Sequence, residues 1–348
     1  SRTRDYSFNK DLLKDGLINK ALLYGRNGSG KSNLGLAMMD ITNHLTDKYK
    51  DPTMYRYFRN AASILDYATF TFDFLFTIES KTIEFSYQYE KKDANTLLSE
   101  SILVKGKTMF AYNYVTNKYL NNFPEAANIN LDNRNQKISA VKYLFNNSFN
   151  LPEISPIRLL NEFANNMLWF RSVQLNQFIG NLDSSESLDR FIIDHNLTDE
   201  FQSFLHDCGI DMTLKPIMTP AGSMLFVIFS QGQLPFFQVA STGTLSLALF
   251  FYWLHRSKNH ISFLYLDEFD AFYHTSLSKY ILNQVNQQTE FQSMITSHNT
   301  YLADNTFMRP DCYLCLKDGV VKSFADLTNK VIREGHNLEN MLLGGEFE

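Results

Sequence analysis

Eight consecutive residues, Gly25-Arg26-Asn27-Gly28-Ser29-Gly30-Lys31-Ser32, restrict this chain more than any other segment. They fit the pattern G-x-x-x-x-G-K-[ST] at every fixed position. Glycines there let the backbone curl so that successive N–H groups point at phosphate oxygens, which a Cβ would obstruct. Lys31 is expected to put its charge on the β and γ phosphates and Ser32 to offer its hydroxyl to Mg²⁺. The helix beyond it, through Asn33, would turn its positive end to the anion. The flanks agree. Residues 18–24 (INKALLY) read as a short apolar strand, and Ser32 to about Leu45 carries Leu34, Leu36, Met38 and Ile41 as candidate inward positions. Strand, glycine turn and helix in that order imply nucleotide binding on an α/β core.

A second segment completes the first. Phe263-Leu264-Tyr265-Leu266-Asp267-Glu268 is a buried-strand pattern ending in two carboxylates. If the strand emerges at the phosphate end of the sheet, Asp267 reaches the metal through water and Glu268 polarises the attacking water as general base. Ser-Met-Ile-Thr-Ser-His ends another apolar strand at His298, whose imidazole could report the γ-phosphate. Ala240-Ser241-Thr242-Gly243-Thr244 opens an apolar helix. Ser241 and Gly243 at that start form a cap and an anion nest, available to a second copy of the chain because the first loop already holds this copy's nucleotide.

Composition excludes several classes. The chain has 348 residues, 44% of them hydrophobic and 20% charged, too apolar for disorder and long enough for a sizeable core. Lys and Arg number 32 against 37 Asp and Glu, a formal charge of −5 that argues against a protein that coats nucleic acid. Lys48, Lys50, Lys91, Lys92, Lys105 and Lys107 are scattered and read as solvated positions. The apolar run Leu245–Leu254 is about half of the roughly 20 residues that span a bilayer, so it reads as a core helix with no membrane role. Three cysteines (Cys208, Cys312, Cys315) build no disulfide framework and suggest a reducing, cytoplasmic setting; the Cys312-x-x-Cys315 pair reads as strand.

Between Lys31 and Asp267 the texture changes twice. Ala68 to about Tyr114 alternates, with Phe70, Phe72, Phe74 and Phe76 on one face, which implies antiparallel hairpins. Residues 121–136 are Asn-rich and read as loop. Ile138 to about Cys208 reads as a helical lobe broken by Pro152 and Pro156, with Leu188 to Leu205 at helical spacing. Met224–Phe229 and Leu234–Val239 flank a Ser-Gln-Gly-Gln turn as strands, and a last hairpin surrounds Lys317-Asp318-Gly319. The division expected is a core N-terminal half (1–64), an antiparallel β subdomain (65–120), an inserted helical lobe (121–215) and a core C-terminal half (216–348).

The order of phosphate loop, Ser-Thr-Gly-Thr turn, Asp-Glu strand and strand-end His resembles the ABC-type ATPases. It is most similar to the branch containing SMC, RecF and the overcoming-lysogenization-defect proteins, and within it to ATPases of bacterial abortive-infection and antiphage systems. The Gly25–Leu34 loop and the Asp267–His274 stretch carry the resemblance, with His336-Asn337-Leu338-Glu339 and Gly344-Gly345 at the end; the middle matches only in texture.

The resemblance implies an α/β P-loop core of mixed sheet and flanking helices. It gives Walker A roles to Gly25 through Ser32, Walker B to Asp267, the hydrolytic base to Glu268 and a switch histidine to His298. Ser241 and Gly243 become a signature that touches a partner subunit's ATP, and Asp270–His274 line the seam. It further implies ATP hydrolysis with Mg²⁺, a head-to-tail dimer around two ATP molecules, and a separately encoded nuclease or toxin as effector. A RecF-like clamp on DNA and a transporter subunit are the alternatives, the latter disfavoured because Ser-Thr-Gly-Thr lacks a second glycine. The glutamine that touches Mg²⁺ in such proteins is open among Gln88, Gln136, Gln174 and Gln177. Residues 1–10 resemble the segment that normally comes after a first strand, which suggests that the numbering begins within a longer protein.

Overall fold

The strand that feeds the phosphate loop, β1 (Lys20–Tyr24), is buried along its whole length, as a continuous apolar run is when both sheet faces are covered. After the loop, α1 (Lys31–Leu45) begins directly at the lysine. The computed structural model describes residues 5–48, 52–61, 63–171, 177–180, 187–220, 222–256 and 261–347. It divides into two compact units: Ser1–Gly35, Leu168–Phe178 and Leu182–Glu348 form one, Leu36–Met167 and Ile179–Asn181 the other.

The second unit contains the alternating segment. Strands β2 (Ala68–Ile78), β3 (Lys81–Asp93), β4 (Thr96–Val104), β5 (Lys107–Asn113) and β6 (Lys118–Asn121) pair in sequence order as an antiparallel meander. Phe70 opposes Tyr89 and Phe74 opposes Phe85, with rings stacked at centroid distances of 4.7 and 5.0 Å. Helices α2 (Ala140–Asn147) and α3 (Pro156–Asn165) come next. Ser139 caps the first, its hydroxyl accepting from Lys142 N at 3.1 Å, and Pro156 opens the second, where its missing N–H costs nothing.

A charged network lies inside this unit. Lys91 is not solvated as its neighbours in sequence suggested: it is fully buried, its Nζ 2.9 and 3.0 Å from the two carboxylate oxygens of Asp40. Tyr89 donates to the same carboxylate at 3.0 Å. Beside it, the buried Glu100 accepts from Tyr87 (2.7 Å), Tyr114 (2.6 Å), Ser139 (2.5 Å) and the Ala140 N–H (2.8 Å). Removing one member of a buried pair strands the other charge, so Lys91→Met is expected to cost about 3–5 kcal/mol. Adding Asp40→Asn should return much of that loss. Urea denaturation followed by circular dichroism on the two variants checks both.

The chain continues with β7 (Met167–Arg171) and β8 (Gln177–Gly180), then α4 (Leu188–Asp194) and α5 (Thr198–Asp207). A three-stranded antiparallel sheet is next: β9 (Thr213–Thr219), β10 (Gly222–Phe229) and β11 (Gly232–Pro235). Then come α6 (Thr242–Arg256), β12 (Phe263–Asp267), α7 (Thr275–Asn286), β13 (Gln292–Thr296), β14 (Tyr313–Lys317) and β15 (Val320–Ser323). The main sheet has the order β8-β7-β12-β13-β1-β14-β15. β12, β13, β1 and β14 are parallel, and β15 closes the edge as the expected hairpin partner of β14. The mixed α/β P-loop core that the sequence implies is therefore present. α6 contributes Leu247, Ala248, Phe250, Phe251, Tyr252 and Trp253 to its core, all buried; no helix among the described residues is long and apolar enough to cross a membrane.

Two local readings change, and the reading of Leu188 to Leu205 is refined. Met167–Arg171, within the stretch expected to be helical, is a strand of the main sheet: five residues bounded by Asn165-Asn166 are too few for a buried helix and fit a covered strand. The helical spacing from Leu188 to Leu205 belongs to two helices, because Asn196 takes a left-handed φ of 55° and ends the first. Phe236–Val239 is one helical turn rather than the end of a strand, since Pro235 cannot continue the ladder.

Candidate functional site

The phosphate loop is built so that glycine is required at Gly25: a Cβ there would lie 2.6 Å from Ser29 Oγ and 3.1 Å from the Leu316 carbonyl oxygen. Gly28 and Gly30 hold φ values of 76° and 101°, which side-chain-bearing residues rarely adopt. Ser29 N donates to Arg26 O at 3.0 Å and tightens the turn. Lys31, only 6% exposed, donates from Nζ to Gly25 O at 2.8 Å and Arg26 O at 3.4 Å, latching the loop on itself. Burial pulls its pKa below the ordinary lysine value, while Glu268 and Asp267 push it back up. One turn on, Gly35 lets α1 approach β12: a Cβ there would meet the Tyr265 ring at 2.6 Å and Trp169 Nε1 at 2.9 Å. Tyr265 OH donates to Lys31 O at 2.6 Å, so the carboxylate strand also fixes the start of the helix.

Because β12, β13 and β1 are parallel, their C-terminal ends share one side of the sheet, the side on which α/β folds bind ligands. Leu266 pairs with Ile295 and Thr296 with Leu23, which sets Asp267, Thr296 and the start of the loop level with one another. Thr296 joins the two acids: its hydroxyl donates to Asp267 Oδ1 at 2.9 Å and accepts from Glu268 N at 2.8 Å. Asp267 is fully buried, and its Oδ2 has no hydrogen-bond partner among the described residues. Glu268 sits at φ 50°, a conformation that costs a non-glycine residue about 1–3 kcal/mol and is common where function needs a side chain re-aimed. Its Oε1 is 3.8 Å from His298 Nε2, a ring 42% exposed. Its Oε2 is 3.7 Å from Arg171 Nη2, and Arg171 Nε is 3.6 Å from Asp267 Oδ2.

An open cleft of about 700 Å³ runs along the loop, lined by Gly25–Ser29, His298 and the Lys317-Asp318-Gly319 turn among others. Asp270 is half-buried, accepts from Ser297 Oγ at 2.5 Å, and has its pKa raised by burial. Ser241 is exposed and caps α6, its Oγ accepting from Thr244 N at 3.2 Å and sharing a 2.9 Å hydrogen bond with Thr244 Oγ1. Gly243 has no close neighbour demanding glycine, the nearest atom to a Cβ being Phe272 O at 3.6 Å. Neither residue lines the cleft. Lys31, Asp267, Glu268 and His298 are thus brought together, and Ser241 and Gly243 form a separate, solvent-facing turn.

The donor set fits a phosphate-bound Mg²⁺: a half-buried Ser32 at the helix start and an orphaned carboxylate oxygen on Asp267 are hard oxygen ligands. Of the candidate glutamines, Gln88 and Gln136 belong to the second unit, Gln174 lies outside the described residues, and of Gln177 only the backbone is described. Sequence reasoning missed Thr296 and Arg171. Thr296 stands two residues before the histidine that drew notice. Arg171 ends Met-Leu-Trp-Phe-Arg, the same apolar-run-then-charge pattern that flagged Asp267, hidden by the helical reading of that stretch.

Several solved structures are similar to this chain at low identity. The SMC head bound to the C-winged helix domain of ScpA is 15% identical over 88% of this chain and 89% of its own, with a TM-score of 0.46. The SMC head domain from Thermotoga maritima is 12% identical over 87% and 88%, TM-score 0.42. The Smc head domain with an extended coiled coil, bound to the C-terminal domain of ScpA derived from Pyrococcus furiosus, is 12% identical over 88% and 89%, TM-score 0.47. A search of curated proteins gave no match. One family model, in contrast, runs over residues 20–304, from the strand that feeds the loop to past the strand-end histidine; the chain belongs to that family, described as AAA domain, putative AbiEii toxin, Type IV TA system.

Proposed function

We propose that this chain binds and hydrolyses ATP with Mg²⁺, that two copies close head to tail around the nucleotide, and that the cycle holds or frees a separately encoded nuclease or toxin in antiphage defence. The observation that carries the reading is the meeting of a latched lysine loop with a buried, half-satisfied carboxylate and a strained glutamate at one end of a parallel sheet. Lys31 releases its own loop carbonyls to take the β and γ phosphates. Ser32 and Asp267 hold Mg²⁺, which neutralises developing phosphate charge. Glu268 polarises the attacking water, and His298, within charge-pairing range of it, senses the γ-phosphate. Arg26, Asn27, Gly28, Ser29, Gly30 and Asn33 supply backbone donors and the helix start. The defence role is drawn from the family description, which names a toxin of a Type IV TA system.

Ser241 and Gly243 serve the partner's nucleotide rather than their own. In support, Ser241 is exposed at the start of a 15-residue helix. The nearest described atom to a Cβ at Gly243, Phe272 O at 3.6 Å, would tolerate a side chain, so its own neighbours do not demand glycine there. Complementation tests the shared site. Lys31→Ala lacks the loop function and Ser241→Arg the signature function, so each alone should be inactive. An equal mixture should recover about a quarter of wild-type ATPase activity, because half the dimers are mixed and each mixed dimer keeps one complete site. A mixture as inactive as its components would remove the head-to-tail arrangement.

A further inference from the structure

We infer that Arg171 is an exchangeable counter-ion for Asp267 and Glu268: it occupies their charge between nucleotides and must yield before the metal can seat, so it sets the Mg²⁺ concentration at which nucleotide is gripped. The inference rests on the metal-holding reading of Asp267. Arg171 closes β7, which borders β12 in the sheet, and its guanidinium spans both acids. Yet it closes on neither. At 3.6 and 3.7 Å the contacts are within charge-pairing range but beyond a hydrogen bond, and both Arg171 Nε and the facing Asp267 Oδ2 are buried without a hydrogen-bond partner among the described residues.

A structural arginine in the same unit looks different. Arg309 grips Asp311 with two parallel bonds, Nε to Oδ1 at 2.6 Å and Nη2 to Oδ2 at 3.0 Å, both side chains almost wholly buried. Bidentate closure is what arginine and carboxylate do when nothing else must enter. Arg171 is instead 23% exposed and held off, leaving the buried Asp267 Oδ2 that it faces without a hydrogen bond among the described residues. Two cations on the same pair of carboxylates repel each other, so the arginine and the metal compete. Arg171 acts through the acids and is a positioning residue.

The test uses the full chain and a fluorescent, non-hydrolysable ATP analogue titrated at fixed nucleotide and increasing Mg²⁺. Arg171→Gln is expected to lower the half-saturating Mg²⁺ about tenfold, the order of one partly screened charge interaction. Arg171→Met, neutral and of similar length, should give the same shift and serves if the glutamine variant folds poorly. Arg171→Lys, which keeps a charge, should shift less. The melting temperature in EDTA should fall for Arg171→Gln, and that deficit should vanish with saturating Mg²⁺ and analogue. An unchanged or raised Mg²⁺ requirement in the neutral variants overturns the inference, as does slowed ATP hydrolysis with an unmoved requirement, which would assign the arginine to the phosphates. Asp267→Asn separates the two levels. If it raises the Mg²⁺ requirement while Arg171→Gln does nothing, only the arginine's role fails. If it leaves the requirement at the wild-type value, the metal reading of Asp267 fails and takes the arginine's role with it.

Discussion

Lys31→Ala is expected to weaken ATP binding by a factor on the order of 100 or more, since a charged hydrogen bond contributes about 1.5–3 kcal/mol and this lysine is to make contacts to two phosphates. The reasoning starts from its present bonds. With Nζ tied to Gly25 O and Arg26 O, the side chain already lies along the inside of the loop, so little ordering remains when phosphate replaces the carbonyls. Alanine removes both the charge and the latch. Stability should change little by comparison, because burial already disfavours the ammonium in the folded state. The same burial gives a pH signature. A lysine whose folded pKa is lowered is charged below that value and loses its charge before an ordinary lysine does as pH rises. ATP affinity should therefore begin to fall on the alkaline side at a lower pH than a free lysine would dictate, and the variant should lack that fall. Calorimetric titration of wild type and variant across pH checks both; a variant that binds with wild-type affinity would remove Lys31 from the site.

What could be read from the sequence divides by how local its cause is. The phosphate loop and the Asp267-Glu268 strand were legible because each is a short run whose chemistry depends on immediate neighbours: glycines where the backbone must curl, four apolar residues that drive a carboxylate to a strand end. The alternation of Phe70 to Phe76 is local in the same way. Arg171 was not legible, since its meaning comes from β7 lying beside β12, a strand order that no segment encodes by itself. Thr296 is similar: a threonine ending an apolar strand is unremarked until the neighbouring strand supplies both an acceptor and a donor for one hydroxyl. Lys91 failed for a further reason. Lysine belongs on the surface unless paired, and its partner Asp40 lies 51 positions earlier, on α1. Such pairs are set by tertiary packing, and composition counts them as ordinary surface charge.

Glu268→Gln carries the second large effect and separates chemistry from assembly. Glutamine matches the glutamate in size and keeps the main-chain N–H that Thr296 accepts, so the strained φ of 50° and the local geometry should survive. What it loses is the negative charge that would draw a proton from water. Hydrolysis should drop by about 10²–10⁴-fold, the usual contribution of a general base, while nucleotide binding persists. If two copies enclose the nucleotide, blocking hydrolysis blocks reopening. Light scattering of Glu268→Gln with Mg²⁺ and ATP should then report about twice the chain mass, falling back to a single chain when nucleotide is withdrawn. A variant that hydrolyses ATP at the wild-type rate would displace Glu268 from its role. One that is inactive, binds ATP and stays a single chain would keep the base and discard the sandwich. That second outcome would leave the exposed Ser241 turn as an ordinary helix cap.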